Sequence, residues 1–282
     1  MFLEILKFIF FSLLIVLISK YMLVTVLRKL AENLNLKPNV IGNIAGYATS
    51  VPELLTVSIS SFTGLTGASV YNILSSNIIN LVQYICAIIM NNNLKKLKNE
   101  AIIIDIILVL FTIFIPIFIL ITDMEINVIV VLIFFVLAFV FWKIDNLFHK
   151  KFLNDIENKI IQIENEKEKE ETKNNKSTFL YIFLLVLAGV LLFFIGNMLG
   201  DTLEVLAEKF NISQTIIGIL LGFITSIPEL ITFIESQRYY KEEELDDILG
   251  VVEATNNLFT SNVLNLFIIQ SIGVCIFLIW TW

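Results

Sequence analysis

Four prolines, two cysteines and one histidine are all that 282 residues contain, and only 16% of the chain is charged. Two cysteines exclude a disulfide framework or a thiolate metal cluster. Cys86 and Cys275 both fall in apolar runs and are expected to be packing residues. His149, at the edge of an apolar run, leaves histidine-based catalysis without a partner. There is no His-Glu-x-x-His, no paired-aspartate protease pattern and no nucleophile with a histidine beside it, so an intramembrane enzyme is set aside. The net charge of −7 comes largely from two acidic water-facing segments and says little about partners.

What the sequence has in excess is apolar length. It is 57% hydrophobic with a mean hydropathy of +0.86. Several uninterrupted runs reach the roughly 20 residues that a hydrocarbon core about 30 Å thick requires. The runs are continuous rather than alternating, which excludes a barrel. The expected fold is an all-α polytopic membrane protein. The first run is too long for a signal peptide, lacks a small-residue cleavage site and reads as a retained span. Eight spans are expected, near 3–28, 38–62, 66–90, 101–122, 126–147, 178–200, 213–236 and 250–281. The last is long and carries Asn256, Asn257, Ser261, Asn262 and Asn265, so a broken or tilted helix is expected there. With the N-terminus outside, 16 of the 19 Lys and Arg residues fall on the inner side, as the positive-inside rule asks.

Two of the four prolines sit beside a glutamate, in the same sentence written twice. The first copy is Thr49-Ser50-Val51-Pro52-Glu53-Leu54, followed by Ser76-Asn77-Ile78-Ile79-Asn80-Leu81. The second is Thr225-Ser226-Ile227-Pro228-Glu229-Leu230, followed by Ser261-Asn262-Val263-Leu264-Asn265-Leu266. The match reaches back to Leu30-Ala31-Glu32-Asn33 and Leu206-Ala207-Glu208-Lys209, with a constant offset of 176 residues through the glutamates. On the eight-span topology the copies run in opposite directions. Inverted repeats of this kind place a transporter's site near the bilayer midplane, between the halves. The organisation expected is a first half over 1–148 with five spans, a cytoplasmic linker over 149–177, and a second half over 178–282 with three spans. The linker mixes Glu and Lys and reads as a solvated surface helix. The acidic stretch Glu242–Asp247 reads as a solvated loop at the inner mouth.

The two glutamates carry the chemistry. A charge at mid-membrane costs about 2.5–3.5 kcal/mol on insertion scales, so two at matched positions ask for a reason. Gly42, Gly46, Thr49, Ser50, Glu53 and Thr56 recur at helical spacing and form one small, polar face. Gly218, Gly222, Thr225, Ser226, Glu229 and Thr232 repeat it. Small residues allow close helix approach. Pro52 and Pro228 lack an N–H and free the carbonyls of Ala48 and Ile224. Asn72, Ser76 and Asn80, and Asn257, Ser261 and Asn265, each share a face at i, i+4, i+8. Asn77 and Asn262 are candidates to cap broken helices. The inventory is all hard oxygen, which suits Ca²⁺ and in subsets Na⁺. Soft metals lack their ligands. A charge of −2 matches one divalent or two monovalent ions, and an empty site with two buried carboxylates is costly.

These paired motifs resemble the Ca²⁺:cation antiporter superfamily, and most its sodium/calcium exchanger branch. The resemblance implies a secondary antiporter with Ca²⁺ and Na⁺ as the transported ions, no cofactor and no nucleic acid partner, in a cell (inner) membrane. It also implies that Glu53 and Glu229 are the central cation ligands. Thr49, Ser50, Thr225 and Ser226 would add hydroxyl or carbonyl oxygens, and Ser76, Asn80, Ser261 and Asn265 would complete the sites. The chain departs from the pattern at Ala48 and Ile224, and at Ser75 and Thr260, where the family has glycine. Asn265 stands where many relatives carry Asp, so one charge is missing. Family members typically have ten spans, and the two fewer here would expose a face for pairing as a homo-oligomer. Cation/H⁺ exchange and a non-transporting cation-binding relative are the alternatives.

Overall fold

The computed structural model describes residues 2–34, 36–62, 64, 66–122, 127–152, 175–210 and 213–280. Among these there are helices and turns and no strand. Helix α1 (Phe2–Ile18) continues through a π-helical stretch, Ser19–Val24, into α2 (Thr25–Asn33). Then come α3 (Pro38–Thr49), α4 (Val51–Phe62), α5 (Thr66–Met90), α6 (Glu100–Ile121), α7 (Val128–Phe152) and α8 (Asn175–Phe210). The second motif copy follows as α9 (Gln214–Thr225), α10 (Ile227–Glu242) and α11 (Asp247–Val263). Helix α11 passes through a second π-helical stretch, Leu264–Ile269, into α12 (Gln270–Trp280).

Local chemistry explains where the helices start. Asn99, Asn127, Ser213 and Asp246 each accept a bond from a backbone N–H of the first turn that follows, which satisfies a donor no intrahelical carbonyl can reach. Pro38 opens α3, where its missing N–H costs nothing. Gly64, at φ 80, makes the turn from α4 to α5 in a conformation that a side chain would oppose.

Six stretches are long and apolar enough to cross a membrane: Gly67–Met90, Glu100–Ile121, Val128–Lys151, Thr178–Thr202, Thr215–Glu242 and Asp247–Ile279. They match six of the expected spans. Over the other two expected stretches the structure has helix pairs, α1 with α2 and α3 with α4. Ser50 divides α3 from α4, and the π-helical stretch divides α1 from α2. Of the broken or tilted helix expected for the last span, the break does not occur. The stretch runs on as one helix, absorbing its irregularity in the π-helical stretch just after the Asn262 turn. The linker expected over 149–177 lies largely outside the described residues; α7 runs to Phe152 and α8 starts at Asn175.

Helix α8 is peripheral, mostly unburied, and packs chiefly on α1, α2 and α4. Ile15, Leu192, Leu199 and Ile217 hold that side together. The larger core lies among α5, α6, α7, α10 and α11, around Tyr84, Phe134, Phe141, Phe233 and Phe267. Outward, Phe111, Phe114, Phe118, Leu132, Val136, Phe179 and Phe183 form an exposed apolar belt. In lipid that belt costs nothing, and the helical backbone is satisfied internally. Cys86 and Cys275 are unpaired and lie on exposed faces rather than in the packed interior, which corrects the packing role expected for them.

Candidate cation-binding site

Both motif copies interrupt a run of helix. Helix α3 stops at Thr49 and α4 starts at Val51; α9 stops at Thr225 and α10 starts at Ile227. The hinge residues Ser50 and Ser226 have nearly identical backbones, φ −82 with ψ 2 and φ −80 with ψ 0. Glu53 and Glu229 therefore stand in the first turn of α4 and of α10, where free N–H groups favour negative charge. The carboxyl ends of α3 and α9 arrive at the same places with their free carbonyls.

Glycine brings the partners in. Helix α3 packs on α11 and α9 packs on α5. A Cβ on Gly42 would lie 2.3 Å from the Glu253 carbonyl oxygen, and one on Gly218 would lie 2.6 Å from that of Ala68. Gly46 and Gly222 are as tightly faced, by Thr260 and Asn257 and by Ser75 and Asn72. No larger residue fits these crossings unless the helices separate.

All ten sequence-predicted residues are buried. Ser50 Oγ donates to Ser261 Oγ at 2.9 Å, and Ser261 Oγ donates to Glu229 Oε1 at 3.0 Å. Asn80 Nδ2 approaches Ser261 Oγ at 3.3 Å and donates to Asn262 Oδ1 at 3.1 Å. Thr49 Oγ1 donates to Ala45 O at 2.9 Å and lies 3.5 Å from Asn257 Oδ1. Thr225 Oγ1 donates to Leu221 O at 3.0 Å and lies 3.5 Å from Ser76 Oγ. Glu53 faces Glu229 and the hydroxyls of Thr225 and Ser76. Neither of its carboxylate oxygens receives a hydrogen bond, nor does Glu229 Oε2. Ser226 Oγ and the side-chain oxygens of Asn80 and Asn265 are likewise buried without partners. Asn265 stands one step off the cluster, with Nδ2 donating to Asn77 Oδ1 at 3.2 Å.

Asn77 and Asn262 do not cap broken helices. They lie inside continuous helix and tie the two halves together reciprocally, Asn77 Nδ2 to Asn262 O at 3.2 Å and Asn262 Nδ2 to Asn77 O at 3.1 Å. A second matched pair brackets the site. Asn72 Nδ2 donates to Thr56 Oγ1 at 2.7 Å, and Asn257 Nδ2 donates to Thr232 Oγ1.

Two polar groups escaped the sequence reading. Arg28 of α2 grips Glu253 of α11 with both guanidinium nitrogens, at 2.8 and 2.5 Å, and stacks 4.4 Å above the Tyr239 ring. Tyr240 also donates to Glu253, at 3.1 Å. The second group joins Asp105 of α6 to Asp145 and His149 of α7. Only the i, i+4 spacing of Asp145 and His149 signalled it.

The fold and site are those of a helical protein with six stretches apolar enough to cross a membrane, in which two carboxylates are buried with unpartnered amide and hydroxyl oxygens at two helix breaks. Comparison with known proteins gives the family. Residues 4–144 and 180–281 match the sodium/calcium exchanger protein family, and the chain belongs to it. That makes it a multi-pass membrane cation exchanger, not an enzyme. Solved structures of the sodium-calcium exchanger NCX_Mj share the fold. In its form soaked with 100 mM Na⁺ and 10 mM Sr²⁺, identity is 21% and the TM-score 0.58, covering 98% of this chain and 83% of that one. In its form soaked with zero Na⁺ and Ca²⁺, identity is 22% and the TM-score 0.57, with the same coverage. Among curated proteins, none matches the chain.

Proposed function

We propose that this protein exchanges Na⁺ for Ca²⁺ by alternating access, with the ions held between Glu53 and Glu229. One observation carries the reading: two fully buried carboxylates face each other with three of their four oxygens unbonded. Burying that charge without a counter-ion is expensive, so the site asks for cations or protons. Hydroxyls of Thr49, Ser50, Thr225, Ser226, Ser76 and Ser261 and the amide oxygens of Asn80 and Asn265 supply further hard ligands. Carbonyl ends of α3 and α9 add to them, as in other transporters with interrupted helices.

The matched hinges, glycine crossings and asparagine ties support two repeats, and the Lys and Arg distribution supports inverted copies over eight spans with an outer N-terminus. On that topology α1, α2 and α8 move against a core of α3–α5 and α9–α11. The Arg28–Glu253 pair then closes the inner side, because it joins the moving α2 to the core helix α11. The protein belongs to a cell (inner) membrane on this reading, and a lateral face would accept a second copy. Proton coupling is the second reading, since unbonded carboxylate oxygens accept H⁺ as readily as Na⁺.

The test is uptake of radiolabelled Ca²⁺ into proteoliposomes, under an outward Na⁺ gradient and separately under a pH gradient. Sodium-driven uptake that disappears in Glu53→Gln supports the proposal. Uptake driven by the pH gradient alone replaces it with proton coupling. No flux from folded protein under either gradient means a different ion or a non-transporting relative.

A further inference from the structure

A second buried cluster lies away from the ten transport residues, and it has the composition of a metal centre. Asp105 of α6, Asp145 and His149 of α7 and Asn256 of α11 are at most 3% exposed. The ligating atoms of the two aspartates and the histidine all lie within 4.8 Å of one another. His149 Nε2 is 2.7 Å from Asp105 Oδ2 and 3.4 Å from Asp145 Oδ1.

The hydrogen bonds around that nitrogen do not add up. Asn256 Nδ2 points an N–H at His149 Nε2 from 3.3 Å, while it also donates to Val252 O at 3.0 Å. To accept from Asn256, Nε2 must present its lone pair. To bond the Asp105 carboxylate 2.7 Å away, it must present a proton. One ring nitrogen cannot do both. Meanwhile Asp105 Oδ1 and Asn256 Oδ1 are buried with no hydrogen-bond partner, and Asp145 Oδ1 has only the His149 nitrogen at 3.4 Å. A cation among them resolves the conflict. It takes the Nε2 lone pair and one oxygen from each aspartate, while the Asn256 carboxamide lines the site and keeps its N–H on Val252 O.

We propose that Asp105, Asp145, His149 and Asn256 form a binding site for a first-row divalent transition ion of the Zn²⁺ type, separate from the transport site. Two carboxylates and a neutral imidazole give a charge of −2, which matches a divalent ion. The imidazole argues against Ca²⁺ and Mg²⁺, which take oxygen ligands, and for ions that accept nitrogen. Binding displaces the proton shared by His149 and Asp105, so affinity rises with pH. The bound ion ties α6 to α7 against α11, one residue before Asn257, whose bond to Thr232 brackets the transport site. Occupancy of this centre therefore bears on how freely α11 takes part in transport. The inference does not depend on which ion the protein transports.

Co²⁺ is the probe, because its visible ligand-field bands report tetrahedral nitrogen and oxygen ligation directly. The purified full chain in detergent is titrated with Co²⁺, and Zn²⁺ retained after gel filtration is counted. About one ion per chain is expected, with a rise in thermal midpoint. His149→Gln and Asp105→Asn should each lose the bands, and the Glu53→Gln/Glu229→Gln double variant should keep them. A wild-type chain that is folded and monodisperse yet shows no Co²⁺ bands and no retained Zn²⁺ overturns the proposal. So do unchanged bands in His149→Gln. If those variants do not fold, excess Ca²⁺ and Na⁺ added to Co²⁺-loaded wild type decides. Persistence of the bands supports a separate site, and their loss assigns the ion to the transport site and overturns the proposal.

Discussion

The two motif copies agree where an ion would sit and disagree around it. Helix breaks at Ser50 and Ser226 share one backbone geometry, and Asn72–Thr56 is answered by Asn257–Thr232. Yet Glu229 receives a bond from Ser261 at 3.0 Å while Glu53 receives none. Ser50 reaches Ser261, but Ser226 has no partner. Beyond the site the divergence widens. Helix α5 runs to Met90 without irregularity and exposes Ile78, Val82 and Ile85 on its outer side. Helix α11 is buried throughout Leu249–Val263, turns π-helical, and gives Glu253 to Arg28 and Asn256 to His149. The shared features are those an ion would need from both sides. The unshared ones fit the second copy to neighbours the first does not have.

The carboxylates offer the sharpest way to break this comparison. Removing one partner from a buried charge pair costs about 3–5 kcal/mol, so Glu53→Gln and Glu229→Gln should each reduce Ca²⁺ affinity by more than about 100-fold. Uptake into proteoliposomes checks this. Stability of the ion-free protein should separate the two. Glu229 has the Ser261 bond to weaken and Glu53 has none of that quality, so Glu53→Gln should stabilise the chain more than Glu229→Gln, by no more than the about 1.5–3 kcal/mol of a bond to a charged group. Equal shifts in thermal midpoint would mean the two carboxylates are equivalent in solution.

The glycine crossings come next. Overpacking a tight contact costs about 1–3 kcal/mol. Gly42→Ala drives a Cβ to 2.3 Å from a backbone oxygen, whereas the nearest atom at Gly222 is the Ser75 hydroxyl, at 2.1 Å. Rotation of that hydroxyl leaves the Asn72 carbonyl oxygen at 2.8 Å, a milder backbone clash than the one at Gly42. Gly42→Ala should therefore lower the thermal midpoint more than Gly222→Ala; the reverse order would show that α3 shifts on α11 more easily than α9 on α5.

Removing the Arg28 grip tests a feature that only the second copy has. With Arg28→Ala, Glu253 keeps the Tyr240 hydroxyl as a donor but loses its counter-charge. On the closure reading, a cysteine placed near the inner mouth should become several-fold more reactive to a thiol reagent in this variant. Unchanged reactivity would reduce the ion pair to a packing contact.

Much of the site was legible because it consists of exceptions. In spans where nearly everything is apolar, Pro-Glu pairs and Asn, Ser and Thr at i, i+4, i+8 stand out, and their repetition marks both halves. Proline chemistry marked the carbonyls of Ala48 and Ile224 as freed but did not show the helix breaks at Ser50 and Ser226, and glycine spacing marked the faces that cross closely. Other features had no local signature. Arg28 and Glu253 are 225 residues apart and Asp105 and His149 are 44 apart, so only the packed chain joins them. The π-helical stretches depend on how α1 and α11 seat against their neighbours, which periodicity does not carry. Cys86 and Cys275 were misread because hydropathy is the same for a residue facing lipid and one facing the core.

The paired asparagines allow a finer test of equivalence. Asn77 and Asn262 bond each other's carbonyls, but each also serves a different neighbour: Asn77 Oδ1 accepts from Asn265, and Asn262 Oδ1 accepts from Asn80. Each replacement by Ala should cost about 1 kcal/mol per bond lost. The double variant should cost less than the sum, with a coupling energy of about 0.5 kcal/mol or more. Strict additivity in thermal midpoints would mean the reciprocal bonds are not formed together.

The smallest expected effect lies outside the membrane, at the turn into α11. Asp246 is partly buried, which pushes its carboxyl up, but its bonds from Lys96 Nζ at 2.8 Å and the Ile248 N–H outweigh this and hold it below the usual carboxylate value. A depressed carboxyl contributes stability that is fully present above its unfolded value, and that stability is lost as pH falls through the folded one. Lys96 and Asp246 are both substantially exposed, so solvent screening keeps the pair near the low end of about 0.2–1 kcal/mol. Asp246→Asn should therefore lower the thermal midpoint slightly at neutral pH, keeping the helix cap but losing the ion pair. The gap between variant and wild type should narrow in acid and in high salt. The first copy, whose α5 follows the Gly64 turn without an acidic cap, should show no matching acid-sensitive step. A gap that persists unchanged into acid would assign the effect to the cap alone.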